Sequence, residues 1–297
     1  MGNRFWLVPS RQIASGDGSC RDDKRVIEGF GHEWSRFTNQ RLSLAELQEM
    51  FDLYTSIFPW DELPDNAEGF DAGCGSGRWA RFFAPRVGLL HCVDASEAAL
   101  EVARETLLEY SNIEFRHEDL SSLGLEDRSC DFGYCLGVLH HVRDTEHALA
   151  MCVAKLKPGA PLLVYLYYDL DGRGRLHRRL LDVVTMLRSV VARLPTRGRA
   201  VAADMLALCV YWPLARIGKL LERVGLDPSP IPLFQYRHRS FHVMRNDSLD
   251  RFGTRVEKRF SKEEVSILLE GAGLDKVQFA DGPPWWVAIG WRREGIG

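Results

Sequence analysis

Apolar positions along the chain keep one period, switch to a second, and return to the first. Between residues 25 and 58 they recur every three or four residues: Ile27, Phe30, Trp34 and Phe37, then Leu42, Leu44, Leu47, Met50, Phe51 and Tyr54. That spacing predicts helices with one buried face. Ser43 followed by Glu46 reads as a capping box at a helix start, and Pro59 and Pro64 close the region. Residues 1–26 show little periodicity and predict a partly ordered arm. From residue 69 short apolar runs alternate with amphipathic stretches. Strands are expected at 69–72, 89–94, 113–119, 131–137 and 161–168. Helices are expected after Gly77, over 97–110 behind Ser96, and over 144–156. Such alternation implies right-handed βαβ units and a parallel sheet.

The alternation stops over 170–258. Two long amphipathic helices, 175–194 and 199–224, are separated by Leu194-Pro195-Thr196-Arg197-Gly198, and the chain after Gly225 reads as irregular. The strand and helix signals then return. Ser261 with Glu264 is a second capping box, opening a helix that ends at Gly271 or Gly273. Strands at 277–280 and 285–291 flank Gly282-Pro283-Pro284 and suit an antiparallel pair. The expected organisation is an arm and helical lid (1–60), a core (61–169), a mainly helical insertion (170–258) and a completion of the core (259–297).

Composition narrows the class. The chain has 297 residues, 45 % hydrophobic and 27 % charged, with a net charge of -3. That excludes a disordered chain and gives no global basic excess for a nucleic-acid partner. Seven Cys with no C-x-x-C pair argue against a disulfide framework and a Cys-rich zinc site, so no metal is expected. No apolar leader segment is visible before Gly18. The most apolar run, 201–215, carries Asp204 and Pro213 and is too short to span a bilayer. These features predict a soluble cytoplasmic protein without an integral membrane segment.

The densest chemical signal is Asp71-Ala72-Gly73-Cys74-Gly75-Ser76-Gly77. It follows a strand and opens a helix, as a ligand loop requires. A dinucleotide loop reads G-x-G-x-x-G and seats a pyrophosphate on the helix N-terminus. Here the glycines fall as G-x-G-x-G, and Asp71 would repel a pyrophosphate. A carboxylate there suits a ligand with an amino group and a sulfonium. Asp71 and Asp94 are separated by one βα unit, and Asp119 by one more. All three therefore fall at C-terminal strand ends, where open α/β sheets bind ligands. The other reading of each Asp is a helix cap or turn residue.

These residues resemble the class I S-adenosylmethionine-dependent methyltransferases, in particular the small-molecule, ubiquinone/menaquinone-type branch. Asp71 to Gly77 is similar to that family's first motif, Val93-Asp94-Ala95-Ser96 to its second and Glu118-Asp119-Leu120 to its third. Leu136 to His141 and Leu156-Lys157-Pro158-Gly159 are similar to the regions after and before its fourth and fifth strands. The resemblance implies a Rossmann-like, doubly wound α/β sheet of seven strands with the last antiparallel. It implies S-adenosylmethionine as cofactor and in-line methyl transfer to a small molecule. Asp71, Ala72, Gly73, Cys74, Gly75 and Gly77 would then meet the methionine part, Asp94 and Ala95 the ribose, Asp119 and Leu120 the adenine, and Leu136 the adjoining floor. The alternatives are a nicotinamide-dependent (NAD(P)) oxidoreductase and a non-catalytic S-adenosylmethionine-binding protein.

Methyl transfer mainly needs alignment, and a base only where the acceptor holds a proton. His140 and His141 follow the fourth strand and are the candidate bases; otherwise one caps carbonyls and the other faces solvent. Trp34, with Phe30, would pack on the sulfonium or in the core. Tyr236, Arg237 and Arg239, with His238 and His242, are substrate-binding candidates or a solvated loop. The helices of 175–224 offer a homodimer interface. The stretch 173–199 holds eight Arg and one acid, Asp182, so it reads as a solvated face or as a surface for anionic lipid. Asp281-Gly282-Pro283-Pro284-Trp285 reads as a turn.

Overall fold

The computed structural model describes residues 43–168, 184, 186–253, 258–282 and 286–294. The arm with Phe30 and Trp34, the start of the insertion at 170–183 and the turn residues Pro283 to Trp285 lie outside the described residues.

Five parallel strands form first: β1 (Glu68–Ala72), β2 (Leu89–Asp94), β3 (Ile113–His117), β4 (Phe132–Leu136) and β5 (Pro161–Tyr165). Near the C-terminus β6 (Leu274–Phe279) and β7 (Val287–Arg292) complete one sheet of order β3-β2-β1-β4-β5-β7-β6. β7 runs antiparallel to both β5 and β6. This is the seven-stranded, Rossmann-like sheet with an antiparallel last strand that the sequence led us to expect. The strand order reverses between β1 and β4, and such a switch point opens a crevice at the C-terminal strand ends.

Helices cover both faces. α1 (Leu44–Tyr54), α2 (Ala80–Phe83) and α3 (Glu97–Thr106) lie on one, α4 (Thr145–Lys155) and α8 (Lys262–Gly271) on the other. On the first face Phe83 stacks on Tyr134 with ring centres 4.0 Å apart, and Phe51 and Phe58 meet it edge-on. On the second, Leu149, Cys152, Val265 and Leu269 bury against Phe70 and Leu162. The weakly apolar start of β1 has a packing reason. Gly69 pairs with Phe132 and Phe70 with Gly133 across β1 and β4. A Cβ on either glycine would lie 2.3 Å from the opposing ring. Each aromatic fills the space its partner glycine leaves.

The caps follow the sequence unevenly. Ser261 and Glu264 close a complete capping box on α8. Ser43 accepts from Glu46 N–H, but the Glu46 carboxylate instead accepts from Ser240 N–H at 2.8 Å. That bond ties α1 to the insertion.

The insertion holds the helix expected over 199–224 and one that was not expected. α5 (Thr196–Leu206), a π-helical turn (Ala207–Tyr211) and α6 (Trp212–Arg223) form one continuous rod. Pro213 lacks an N–H and its ring crowds the preceding turn. The π turn just before it absorbs that defect without breaking the helix. By length and composition Arg197–Arg223 could cross a membrane. The apolar run 201–215, itself too short to span, lies within this longer helix. A further helix, α7 (Phe241–Gly253), occupies a stretch read as irregular. α5 and α7 pack through Ala203, Ser248 and the Arg245–Asp204 ion pair at 2.8 Å.

Candidate functional site

The loop after β1 is fixed from two sides. Gly73, Gly75 and Gly77 have φ of 84°, 54° and 73°, a region that only glycine adopts freely. Space also requires two of them: a Cβ on Gly73 would lie 2.5 Å from Val138, and one on Gly77 2.6 Å from Leu107. Gly73 and Cys74 both donate to the Val93 carbonyl. Asp94, at the end of β2, then accepts from Gly75 N–H at 2.9 Å and Ser96 N–H at 2.8 Å. One carboxylate thus holds the glycine loop and the next helix start together. Burial raises its pKa, and the Ser96 and Gly75 amides oppose that rise.

Asp71 ends β1 and is 1 % exposed. Its Oδ2 makes no close hydrogen bond and has only the Tyr134 hydroxyl, equally unsatisfied, beside it. Burial pushes its pKa up to about 8; Tyr134 pulls it down, and the Asp94 charge adds to the rise. A buried carboxyl with an orphaned oxygen costs stability unless something compensates it. A ligand amine and cation at this edge would do so. A pyrophosphate would add like charge, which disfavours the nicotinamide reading. The residues present therefore fit S-adenosylmethionine: Asp71 for the amino group, the glycine loop for close backbone approach and Asp94 for hydroxyls.

Asp119 caps a 3-10 turn by accepting from Ser121 N–H at 2.8 Å, while Leu120 behind it is buried. Ala95 lends its carbonyl to His117 Nε2 at 3.0 Å. Leu136 is buried at the end of β4. Cys74 is buried beside Cys92, and that contact with burial holds its thiol protonated. Its role is steric.

Neither histidine faces solvent; both rings are buried. His140 stacks on Tyr167 with ring centres 3.8 Å apart and has no partner for either ring nitrogen. Burial, then the charges of His141 and Arg251, hold its pKa well below the usual value, so it stays neutral. His141 Nε2 lies 3.3 Å from Asp250 Oδ1, and the Tyr167 hydroxyl donates to the other oxygen of Asp250. Despite its burial, Asp250 stays ionised because of His141 and Tyr167.

α7 also aims Asp247 and Arg251 into this region. Arg251 lies 2.8 Å from Asp247 and over the Tyr167 ring. Asp247 accepts from the Tyr211 hydroxyl at 2.9 Å. Tyr236 is buried beside Tyr211 and within reach of Arg251. Tyr54 from α1 meets Tyr165 edge-on at 4.9 Å. Sequence reasoning missed Tyr54, Tyr165, Tyr167, Asp247, Asp250 and Arg251. The alternation of Tyr165 and Tyr167 off the end of β5, and the one-face spacing of Asp247, Asp250 and Arg251, were signals within reach.

Arg237 and Arg239 point elsewhere. Arg237 pairs with Glu222 at 2.8 Å and Arg239 with Glu49 at 3.1 Å. They line a shallow groove with Ser43, Arg216 and Lys219 that takes in none of the glycine-loop residues. Of the substrate-binding candidates among the described residues, only Tyr236 reaches the cluster around Arg251. No group of His, Cys, Asp and Glu suited to a metal occurs among the described residues.

The switch-point loop, its buried Asp71 and half-buried Asp94, and the seven-stranded sheet define the class I S-adenosylmethionine-dependent methyltransferase fold. Comparison with known proteins agrees. A methyltransferase-domain family model matches residues 70–164. The chain is 30 % identical over 93 residues to a ubiquinone biosynthesis O-methyltransferase of Coxiella burnetii, 31 % of this chain and 40 % of that protein. It is 30 % identical over 221 residues to the uncharacterized protein syc1184_c of Synechococcus, 72 % of this chain and 49 % of that protein. The chain thus spans about half or less of the length of these relatives. Among solved structures, the S-adenosylmethionine-dependent methyltransferase SibL in its apo form shares the fold, with a TM-score of 0.51 at 15 % identity over 83 % of this chain and 55 % of that one. Residues 70–164 thus match a methyltransferase domain, set in the fold of the class I S-adenosylmethionine-dependent methyltransferases.

Proposed function

We propose that this protein transfers a methyl group to a small molecule held between the sheet edge and the insertion. The observation that carries this reading is Asp71, buried at the switch point with an unpartnered oxygen beside a three-glycine loop tied down by Asp94. When bound, S-adenosylmethionine supplies a methyl group already activated on a sulfonium. The chain's task is then to bind, orient and exclude water, and alignment alone can supply ~7–11 kcal/mol.

Asp71 orients the amino group, Asp94 the hydroxyls and Asp119 an exocyclic amine. Tyr165, Tyr167 and Tyr236 bound the acceptor's side. Burial holds their phenols protonated, so these rings bound the acceptor's side without adding charge. The enclosing position of α7 supports a small acceptor rather than a polymer. His141, backed by the Asp250 carboxylate, has the imidazole–carboxylate pairing that a general base uses. His140, neutral and with both nitrogens free of partners, serves better to hold an acceptor hydroxyl than to store a proton. Location in the cytoplasm accords with this reading.

The test is transfer of label from methyl-labelled S-adenosylmethionine into a metabolite extract incubated with the full chain. Label in the small-molecule fraction is expected. Label confined to protein or nucleic acid would overturn the acceptor class. Binding of NADH but not S-adenosylhomocysteine in calorimetry would overturn the reading as a whole.

A further inference from the structure

The insertion's long rod is built with its large apolar residues outward. Its buried positions are Ala200, Ala203, Ala207, Tyr211, Ala215 and Gly218. Its exposed ones include Val201 at 62 %, Met205, Leu208, Trp212 at 45 %, Leu220 and Val224. A helix that only packs on its own protein would present the opposite arrangement. Small residues let α5 and α6 lie close against α7 and the Phe234 turn, while the bulky side chains face away. The segment before the rod continues the pattern with Met186, Leu187, Val190 and Leu194. Thirteen of the eighteen exposed large apolar residues among the described residues lie between Met186 and Leu226. So concentrated a patch marks an interaction surface.

Charge identifies the partner. The stretch from 186 to 226 holds seven Arg and Lys and two acids, in a chain whose net charge is -3. Both acids are engaged by cations of the insertion. Asp204 pairs with Arg245 at 2.8 Å, and Glu222 with Arg237 at 2.8 Å and His238 at 2.7 Å. Arg193, Arg197 and Arg223 are exposed among and beside the apolar side chains. A second copy docking through this face would set the same cations against each other, because a two-fold interface is self-complementary. An anionic bilayer surface offers negative headgroups for the cations and acyl chains for Leu208, Trp212 and Leu220. A helix lying in that interface has this make-up: bulky apolar residues and Trp on one side, Lys and Arg flanking them.

We propose that the outward face of 186–226 docks flat on an anionic phospholipid surface, as an interfacial and not a spanning element. The inward face stays packed on α7, whose Asp247, Asp250 and Arg251 line the candidate acceptor site.

The full chain is floated with vesicles of phosphatidylcholine alone and of phosphatidylcholine mixed with phosphatidylglycerol. Flotation with the mixed vesicles, weakened by salt, is expected. Leu208→Glu with Leu220→Glu should lower partitioning more than tenfold. Arg197→Gln and Arg223→Gln should each lower it about fivefold, the effect of one cation near such a surface. Ile267→Glu, an exposed position on α8 outside the patch, should change nothing. The two Arg variants remove no buried contact, so they keep the test valid if the Glu pair fails to fold. Equal partitioning to both vesicle types, or none to either, overturns the proposal. So does a dimer in sedimentation that Leu208→Glu abolishes in protein that does not float. The readout is independent of methyl transfer, so failure of the proposed activity leaves it intact.

Discussion

Asp71→Asn tests what the buried carboxylate costs and what it is kept for. Asn has nearly the shape of a protonated Asp. Burial pushes the Asp71 pKa up to about 8, while the unfolded chain releases that proton near pH 4. Over the interval between, the folded chain holds a proton that the unfolded chain has lost. Stability therefore falls as pH rises, and the fall ends near pH 8, where both states are ionised. At pH 7 this spans about three pH units at ~1.4 kcal/mol each, or ~4 kcal/mol. For a chain of 297 residues that corresponds to ~6 °C in Tm. Asp71→Asn removes the titrating group. Its Tm should exceed that of the parent by about 3–6 °C near pH 7, and by only about 2 °C near pH 5. Scanning calorimetry of the ligand-free proteins across that range reads both. The same variant should bind S-adenosylhomocysteine at least tenfold more weakly near pH 8, because the carboxylate that would face the ligand amine is gone. A variant that melts below the parent at every pH, or a gap that does not change with pH, refutes the reasoning.

Other expectations follow from single contacts. Asp94→Ala leaves the Gly75 and Ser96 amides without their acceptor and should weaken S-adenosylhomocysteine binding more than tenfold by calorimetry; a loss within threefold would show that Asp94 holds no ligand. Gly133→Ala places a Cβ 2.3 Å from the Phe70 ring and should cost ~1–3 kcal/mol in urea unfolding, with Phe70→Leu in the same chain restoring part of it. Ser261→Ala opens the capping box of α8 and should cost ~1 kcal/mol without touching ligand affinity. Asp250→Asn removes the charge facing His141 and Tyr167. It should lower kcat by ~10²-fold or more and alter its pH profile while cofactor affinity holds; an unchanged kcat would take that pair out of the chemistry.

The sheet was legible because its signals are local. β2, β4 and β5 are short apolar runs, β3 alternates with period two, and the helices that follow begin at a cap or a glycine. The sequence also showed Asp71 and Asp94 at strand ends, since one βα unit separates them. Other features depend on contacts that sequence separation hides. Glu46 looked committed to its own helix cap, yet it bonds Ser240, nearly two hundred residues away. Pro213 leaves the helix expected over 199–224 unbroken, but the π turn that carries the chain past it has no signal in the sequence. Arg237 and Arg239 looked like ligand groups because nothing in the sequence revealed Glu222 and Glu49 opposite them. α7 was missed because its apolar residues are few and its inward face is charged, which makes sense only once Tyr167, His141 and Tyr211 are found against it.

That charged face has a bearing on the site as a whole. A helix that leaves Asp247, Asp250 and Arg251 only 17–23 % exposed gives up much of their hydration, and a bland hydrophobic face would be at least as stable. Asp71 imposes a similar cost at the switch point, and His140 buries two ring nitrogens without partners. These costs gather around the C-terminal strand ends, one at β1 and the others beyond β4 and β5. The remainder of the core around the sheet is mostly apolar and closely packed, with Phe83 against Tyr134 and Leu149 against the opposite face, and its buried His91 and Lys155 are paired with Glu68 and Asp127. Uncompensated polar groups persist in a native core where something else satisfies them. Asp71 calls for a cation, His140 for a hydroxyl or similar group, and both lie at the edge where the sheet opens. The fold alone does not need either residue to be polar, so Asp71→Asn should stabilise the ligand-free protein in the act of disabling it.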